Sequence, residues 1–198
     1  MFTFLRQTAA QIESQIAAAE GLVRTDARFL RVDGRHADRV PFLFVQDSSA
    51  TVVGQGKEAF TRARHAFQLW AMFDLGWVRI ANPEARIVAN QLVAVEAHTL
   101  GLWTLNVSQI LEVVESPLHF GFVYATTPLH VEEGEERFLL ELDPASGNVT
   151  YKLEAVSRPR SRLAQMGYPM TRMFQHRFAR DSQCRMREAV RQADTLEA

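Results

Sequence analysis

Residues 100–126 read LGLWTLNVSQILEVVESPLHFGFVYAT, and this stretch decides the fold. Leu100–Val114 and Phe120–Thr126 are rich in Val, Ile, Leu, Phe, Trp and Thr, side chains that suit a pleated, half-buried surface. Ser116-Pro117 between them is a turn signal. Two runs joined by so short a connection pair antiparallel, because a parallel partner needs a crossover of a dozen or more residues. Outward from this hairpin the same texture recurs at Val78–Ile80, Ile87–Val95, Phe138–Asp143 and Val149–Val156. Asn82-Pro83, Gly134 and Ser146-Gly147-Asn148 punctuate it. The spacing predicts an antiparallel meander.

Helical periods flank the meander. Leu5, Ala9, Ile12, Ile16, Ala19 and Val23 recur in steps of four and three, which predicts one helix over 5–23 with an apolar stripe. Residues 24–49, with Gly34, Pro41 and Asp47-Ser48-Ser49, read as a long surface connection holding a short strand near Phe42–Val45. Ala50–Val53 reads as a strand ended by Gly54-Gln55-Gly56. Phe60, Ala63, Phe67, Trp70 and Phe73 then share a helical face, an aromatic stripe of the kind that builds a core, and Gly76 ends that helix. After Ser157-Arg158-Pro159 a long helix is predicted from near Ser161. Its stripe is Leu163, Met166, Met170, Phe174 and Phe178, with Met173 beside it, and Gly167 and Pro169 bend or restart it.

These elements predict an α+β fold: a curved antiparallel sheet packed on a long C-terminal helix, the helix-grip (START-like) arrangement. A hot-dog-like sheet wrapped round the Phe60–Phe73 helix is the alternative. The expected division is an N-terminal helix and extension over 1–49 and a single α+β domain over 50–198.

Composition agrees with one globular unit. The chain has 198 residues, 47% hydrophobic and 23% charged, which excludes a disordered or fibrous chain. A single cysteine, Cys184, excludes an internal disulfide framework and a cysteine-rich zinc module. Arg6, Gln7, Gln11 and Glu13 interrupt the N-terminal segment, and no run approaches the roughly 18 apolar residues of a membrane helix. A soluble, cytoplasmic protein without a membrane span is expected. The net charge of −1 hides a dipole: 158–191 carries nine arginines against Asp181 and Glu188, a net +7, and the remainder −8. That pattern suits a solvated helix face answered by acidic loops such as Glu132–Glu136. No nucleic-acid motif accompanies it, so no nucleic-acid partner is expected.

His36, His65, His98, His119, His130 and His176 show no HxH or HExxH spacing, so no metal is expected. The chain holds no GxSxG, P-loop or GxGxxG element, and no cofactor is expected; Gly54-x-Gly56 reads as a tight strand-to-helix turn. The densest polar constellation is the strand and turn Phe120–His130 followed by Glu132–Phe138. Alternation puts Phe120, Phe122 and Tyr124 on one face, with Thr126 continuing it. His130 with Glu135 or Glu136 forms a workable acid–base pair if both border a cavity. Asn106, in mid-sheet and opposite in facing to Trp103, needs a partner or a ligand.

Several separated segments together resemble an uncharacterised bacterial and plant family, the domain of unknown function 1990. They are Phe60…Ala66…Trp70 through Gly76-Trp77, Asn106, Phe120–His130, Gly134-Glu-Glu-Arg-Phe138, Ser157-Arg158-Pro159, Gly167-Tyr168-Pro169 and Gln175…Arg177-Phe178…Arg180-Asp181-Ser182. The resemblance covers Val52 to Met186. Where the family strand usually looks like Tyr-Gly-Thr-Leu-Pro-Gly-His, this chain has Tyr124-Ala-Thr-Thr-Pro-Leu-His130, with both glycines replaced. The resemblance implies the domain's extent and a shared site region, and no reaction.

The functional expectation is a small hydrophobic or amphipathic ligand held between sheet and C-terminal helix. Asn106, Tyr124, Thr126 and His130 would meet its polar end, and Arg158 or Arg180 would pair with an acid group. Two alternatives stand beside it: a hydrolase- or cyclase-type enzyme using His130 with Glu135 or Glu136, and an interaction protein using its Arg-rich C-terminal helix. Nothing in the sequence reads out an oligomeric state.

Overall fold

A computed structural model describes residues 2–22, 29–33, 40, 42–130, 132–160 and 168–197. Val23, Gly34, His36, Pro41, Ser161, Leu163, Met166 and Gly167 lie outside the described residues. The elements are β1 (Phe2–Thr3), α1 (Ala9–Ala19), β2 (Val45–Gln55), α2 (Gly56–Gln68), a 3-10 turn (Ala71–Phe73), β3 (Val78–Ile80), β4 (Leu92–Thr99), β5 (Leu102–Glu115), β6 (His119–Thr126), β7 (Glu132–Leu142), β8 (Asn148–Pro159) and α3 (Tyr168–Glu197). The strands form one antiparallel sheet in the order β2-β8-β7-β6-β5-β4-β3, with β1 paired to β5. From β3 to β8 each strand pairs with its successor, as a meander requires, and β2 closes the far edge on β8.

The sheet is curled, and α2 and α3 fill its concave face. Phe60, Ala63 and Phe67 of α2 are buried, as the stripe predicts, and the Phe67 ring meets Tyr151 edge-on at 5.5 Å. α3 carries Phe178, Ser182, Met186 and Val190 onto the same core. The Tyr151 hydroxyl and Ser182 Oγ lie 2.8 Å apart inside it, so this buried polar pair satisfies itself. Because both helices share the concave face, the arrangement is the helix grip; a hot-dog sheet would wrap α2 alone. The convex face carries two smaller apolar clusters, one under α1 and one that includes Phe29, Leu30, Val32, Val40 and Phe44.

Several boundaries differ from the sequence reading, each for a local reason. α1 begins at Ala9 because Thr8 and Gln11 form a capping box, and Leu5 is left exposed. Asp47-Ser48-Ser49 belongs to β2, not to a connection; β2 is an edge strand whose alternate side chains, Gln46 and Ser48 among them, meet water. α2 ends at Gln68, before the expected Gly76. Trp70 adopts φ 57, and its buried indole donates to the Ala85 carbonyl at 2.8 Å, which holds the left-handed turn. β7 starts at Glu132, so Gly134 is mid-strand and no turn. Its N–H donates to Thr126 Oγ1 at 3.0 Å, and a Cβ there would run into the Val156 carbonyl oxygen. In α3, Met170 and Met173 are exposed and the buried stripe lies further along, at Ser182, Met186 and Val190.

Candidate functional site

Between the concave face and the first half of α3 lies a cavity of about 300 Å³. Phe73, Trp77, Val95, Leu153, Phe174 and Phe178 supply apolar wall; Asp47, Asn106, Tyr124, His130, Glu132 and Glu136 supply its polar side. Register explains the polar side. Tyr124 on β6 pairs with Glu136 on β7, Glu136 with Ala155 on β8, and Ala155 with Asp47 on β2. Directly opposed residues share a face, so these four form one row across the sheet. Glu132 lies two dipeptides before Glu136 on the same strand and therefore on the same face.

The Tyr124 hydroxyl donates to Glu136 Oε2 at 2.7 Å. Burial pushes the Glu136 carboxyl up to about 7, against the Tyr124 hydrogen bond, which lowers it. Burial, with the Glu136 charge, raises the Tyr124 phenol well above its ordinary range, so it stays a donor. His130 accepts the Glu132 backbone N–H at Nδ1, 3.0 Å away, which leaves the proton of the neutral ring on Nε2. Burial and the Arg160 charge push that imidazole down to about 3, so it is neutral at physiological pH.

Glu132 accepts the Gln175 side-chain amide at 3.0 and 3.1 Å, and burial raises its carboxyl. Asp47 takes both guanidinium nitrogens of Arg172, one at 2.6 Å, and that pairing holds its carboxyl below the usual range. The Asn106 side-chain oxygen is buried and has no hydrogen-bond partner among the described residues.

Of the residues singled out from sequence, Asn106, Tyr124, His130 and Glu136 therefore share the cavity wall. Thr126 sits at the end of β6, where its hydroxyl serves Gly134. Glu135 points the other way from Glu136, because neighbours on a strand face opposite sides. It is fully buried on the convex face and accepts the backbone N–H groups of Phe29 and Leu30 at 2.8 and 3.0 Å. Arg158 pairs with Glu133 at 2.7 Å and lies over the Phe44 ring, also on the convex side. Arg180 pairs with Asp181 on the exposed face of α3. Asp47, Gln175 and Arg172 carry no site signal in the sequence, and Glu132 reads there only as part of an acidic turn. Gln175 does stand in the segments that carry the family resemblance.

A curled antiparallel sheet gripping a terminal helix over an apolar cavity with one polar wall defines a helix-grip protein. The profile of a domain of unknown function, DUF1990, matches residues 31–185, and the chain belongs to that family. A UPF0548 protein of Dictyostelium discoideum is 34% identical over 158 residues, covering 74% of this chain and 73% of that one. A UPF0548 protein of Arabidopsis thaliana is 30% identical over 145 residues, 70% of each chain, so relatives occur in eukaryotes. Another, from Deinococcus radiodurans, is 33% identical over 139 residues, 65% of this chain and 69% of that one.

Among solved structures, the di-domain ARO/CYC StfQ from the steffimycin biosynthetic pathway aligns at TM-score 0.52 and 11% identity over 77% of this chain. The di-domain ARO/CYC BexL from the BE-7585A pathway aligns at 0.53 and 15% over 76%. This chain spans about half the length of each, 53% and 51%. A Staphylococcus aureus protein of unknown function aligns at 0.50 and 9% identity, over 77% of this chain and 96% of that one. At these identities the likeness is one of fold. No described helix is long and apolar enough to cross a membrane.

Proposed function

We propose that the protein binds a small amphipathic molecule, apolar body against the aromatic wall and polar end against Tyr124, Glu136, His130 and Asn106. The observation that carries this reading is the cavity itself. About 300 Å³ of space stands between sheet and α3, with apolar walls and a polar group on one side only. Cavities of that size with a few convergent polar groups are the usual makeup of ligand sites. Nile red, a neutral dye, provides the test. It should bind the wild-type protein with a fluorescence rise, and Ala97→Phe, which fills the cavity from β4, should abolish that rise without lowering Tm. Equal fluorescence from both proteins would place the dye elsewhere and remove the proposal.

A second reading has one observation in its favour. The Tyr124–Glu136 pair places a carboxyl of pKa about 7 beside a cavity, the range in which a group both gives and takes protons. Two fold neighbours are ARO/CYC proteins, which makes chemistry on a bound molecule a reading worth testing. Native mass spectrometry of wild-type and Glu136→Gln protein purified from the same cells separates the two readings. Turnover leaves different ligand masses on the two proteins; simple binding leaves the same mass on both.

A further inference from the structure

We propose that the cavity selects a cationic, amine-headed lipophile and rejects one headed by a carboxylate. The inference rests on the binding reading above and adds the chemical class of the ligand.

Charge comes first. Among the described residues no lysine or arginine lines the cavity, whereas Asp47, Glu132 and Glu136 all do; His176 stands at the Asp47 end of the lining. Asp47 is answered by Arg172. Glu132 and Glu136 form no ion pair with any of the described residues; their partners are the neutral Gln175 amide and Tyr124 hydroxyl. His130 contributes a neutral N–H and no charge to hold an anion. The two arginines that sequence reading would have offered to an acid group, Arg158 and Arg180, lie on other surfaces and are paired with Glu133 and Asp181. An entering carboxylate would meet two acidic groups, and the Arg172 guanidinium, whose charge also reaches Glu132, is already engaged by Asp47.

Hydrogen-bonding capacity points the same way. The Tyr124 hydroxyl proton is already given to Glu136, and the Gln175 amide to Glu132 and Ser157. The buried Asn106 oxygen accepts from nothing described. The wall therefore holds a surplus of acceptors, and an orphaned buried acceptor is satisfied only by a donor. An ammonium group offers three donors and no acceptor. The walls beside it are aromatic, Phe73, Trp77, Phe174 and Phe178, whose ring faces attract a cation. An alkyl carboxylate of equal length would place its acceptors against Glu132, Glu136 and the Asn106 oxygen, with the His130 N–H as a donor in return.

The test is isothermal titration calorimetry of the full chain with decylamine, 1-decanol and decanoic acid, each below its aggregation concentration. Decylamine should bind about tenfold tighter than decanol, the factor expected for one charged hydrogen bond, and decanoate weakest of the three. Glu136→Gln, isosteric with the carboxyl, should bring decylamine down to the affinity of decanol. Equal binding of all three molecules would overturn the head-group inference while leaving the cavity reading intact, as would tighter binding of decanoate. Binding of none would overturn both. If the variant fails to fold, the wild-type order of the three ligands decides by itself.

Discussion

At the scale of single residues, Glu136 and His130 sit on the same wall and respond to pH in opposite senses. The folded protein raises Glu136 to about 7 from an ordinary 4.5, so it binds a proton that the unfolded chain gives up first. Glu136 thus contributes stability below pH 4.5 that is lost as pH rises through 7. Its scale is about 3 kcal/mol, from roughly 1.4 kcal/mol per unit. His130 is lowered to about 3 from 6.5, so its contribution is full above pH 6.5 and is lost as pH falls toward 3. Between pH 4.5 and 6.5 the two slopes oppose each other and the pair leaves little net dependence. Removing either partner should expose the other. Glu136→Gln should lose stability relative to wild type as pH falls from 6.5 to 4.5, and His130→Gln should lose it as pH rises over the same interval. Urea titrations at stepped pH read both. Tyr124→Phe should push the Glu136 carboxyl further up, because the hydroxyl it removes is what lowers it, at a cost of about 1 kcal/mol. An NMR titration of the Glu136 carboxyl carbon measures that shift, and no upward movement would mean the hydrogen bond is not held in solution.

At the scale of elements, β7 shows how one strand serves two sites. Its even-numbered residues from Glu132 to Leu142 face the cavity and core, and Glu133, Glu135 and Arg137 face the convex side. Glu135→Ala would leave the buried N–H groups of Phe29 and Leu30 without their acceptor. It should cost about 2–4 kcal/mol in urea unfolding and leave Nile red affinity within twofold, since the cavity lies across the sheet. A change in dye affinity equal to that of a cavity variant would mean the two faces are coupled. The same strand marks what the sequence could disclose. β6 is legible because Phe120, Phe122 and Tyr124 alternate over a run long enough to show its period. The start of β7 is not, because Glu-Glu-Gly-Glu-Glu has neither apolar alternation nor strand propensity; it becomes a strand only by pairing with β8, from Glu132 opposite Pro159. Once β7 is extended back, Glu136 separates from Glu135 and joins Glu132, which the composition of the segment conceals. Asp47 escaped for a similar reason: an edge strand with one solvated side reads as loop. Asn106 is legible because an amide in mid-sheet stands out against its apolar neighbours, and Tyr124 because alternation brings its hydroxyl to the end of an apolar row.

At the scale of the whole molecule, the neutral total charge conceals a dipole whose basic end is largely α3, and the fold uses that charge to hold the helix down. Arg172 closes on Asp47 of the edge strand β2, and Arg185 on Asp74 beyond the 3-10 turn at 2.9 Å. The two contacts act on different halves of the helix. Near Arg185, Ser182, Met186 and Val190 are already buried in the core, so the ion pair there adds to an anchored segment. Near Arg172 the helix covers the cavity, with Met170 and Met173 exposed; Arg172 on Asp47 ties that half to β2, while Gln175 ties it to Glu132 of β7. A ligand passing between β2 and α3 must break the Asp47 pair. Arg172→Gln should therefore speed Nile red dissociation about tenfold, the factor expected for a partly buried bidentate pair, and lower stability by about 1 kcal/mol. Arg185→Gln, which loses an equally basic but more exposed contact, should leave the dissociation rate within twofold. Stopped-flow displacement of the dye measures both rates. Equal acceleration by the two substitutions would show that net charge on α3, and not the Asp47 contact, controls escape; no acceleration by either would move the entry route away from the β2 edge.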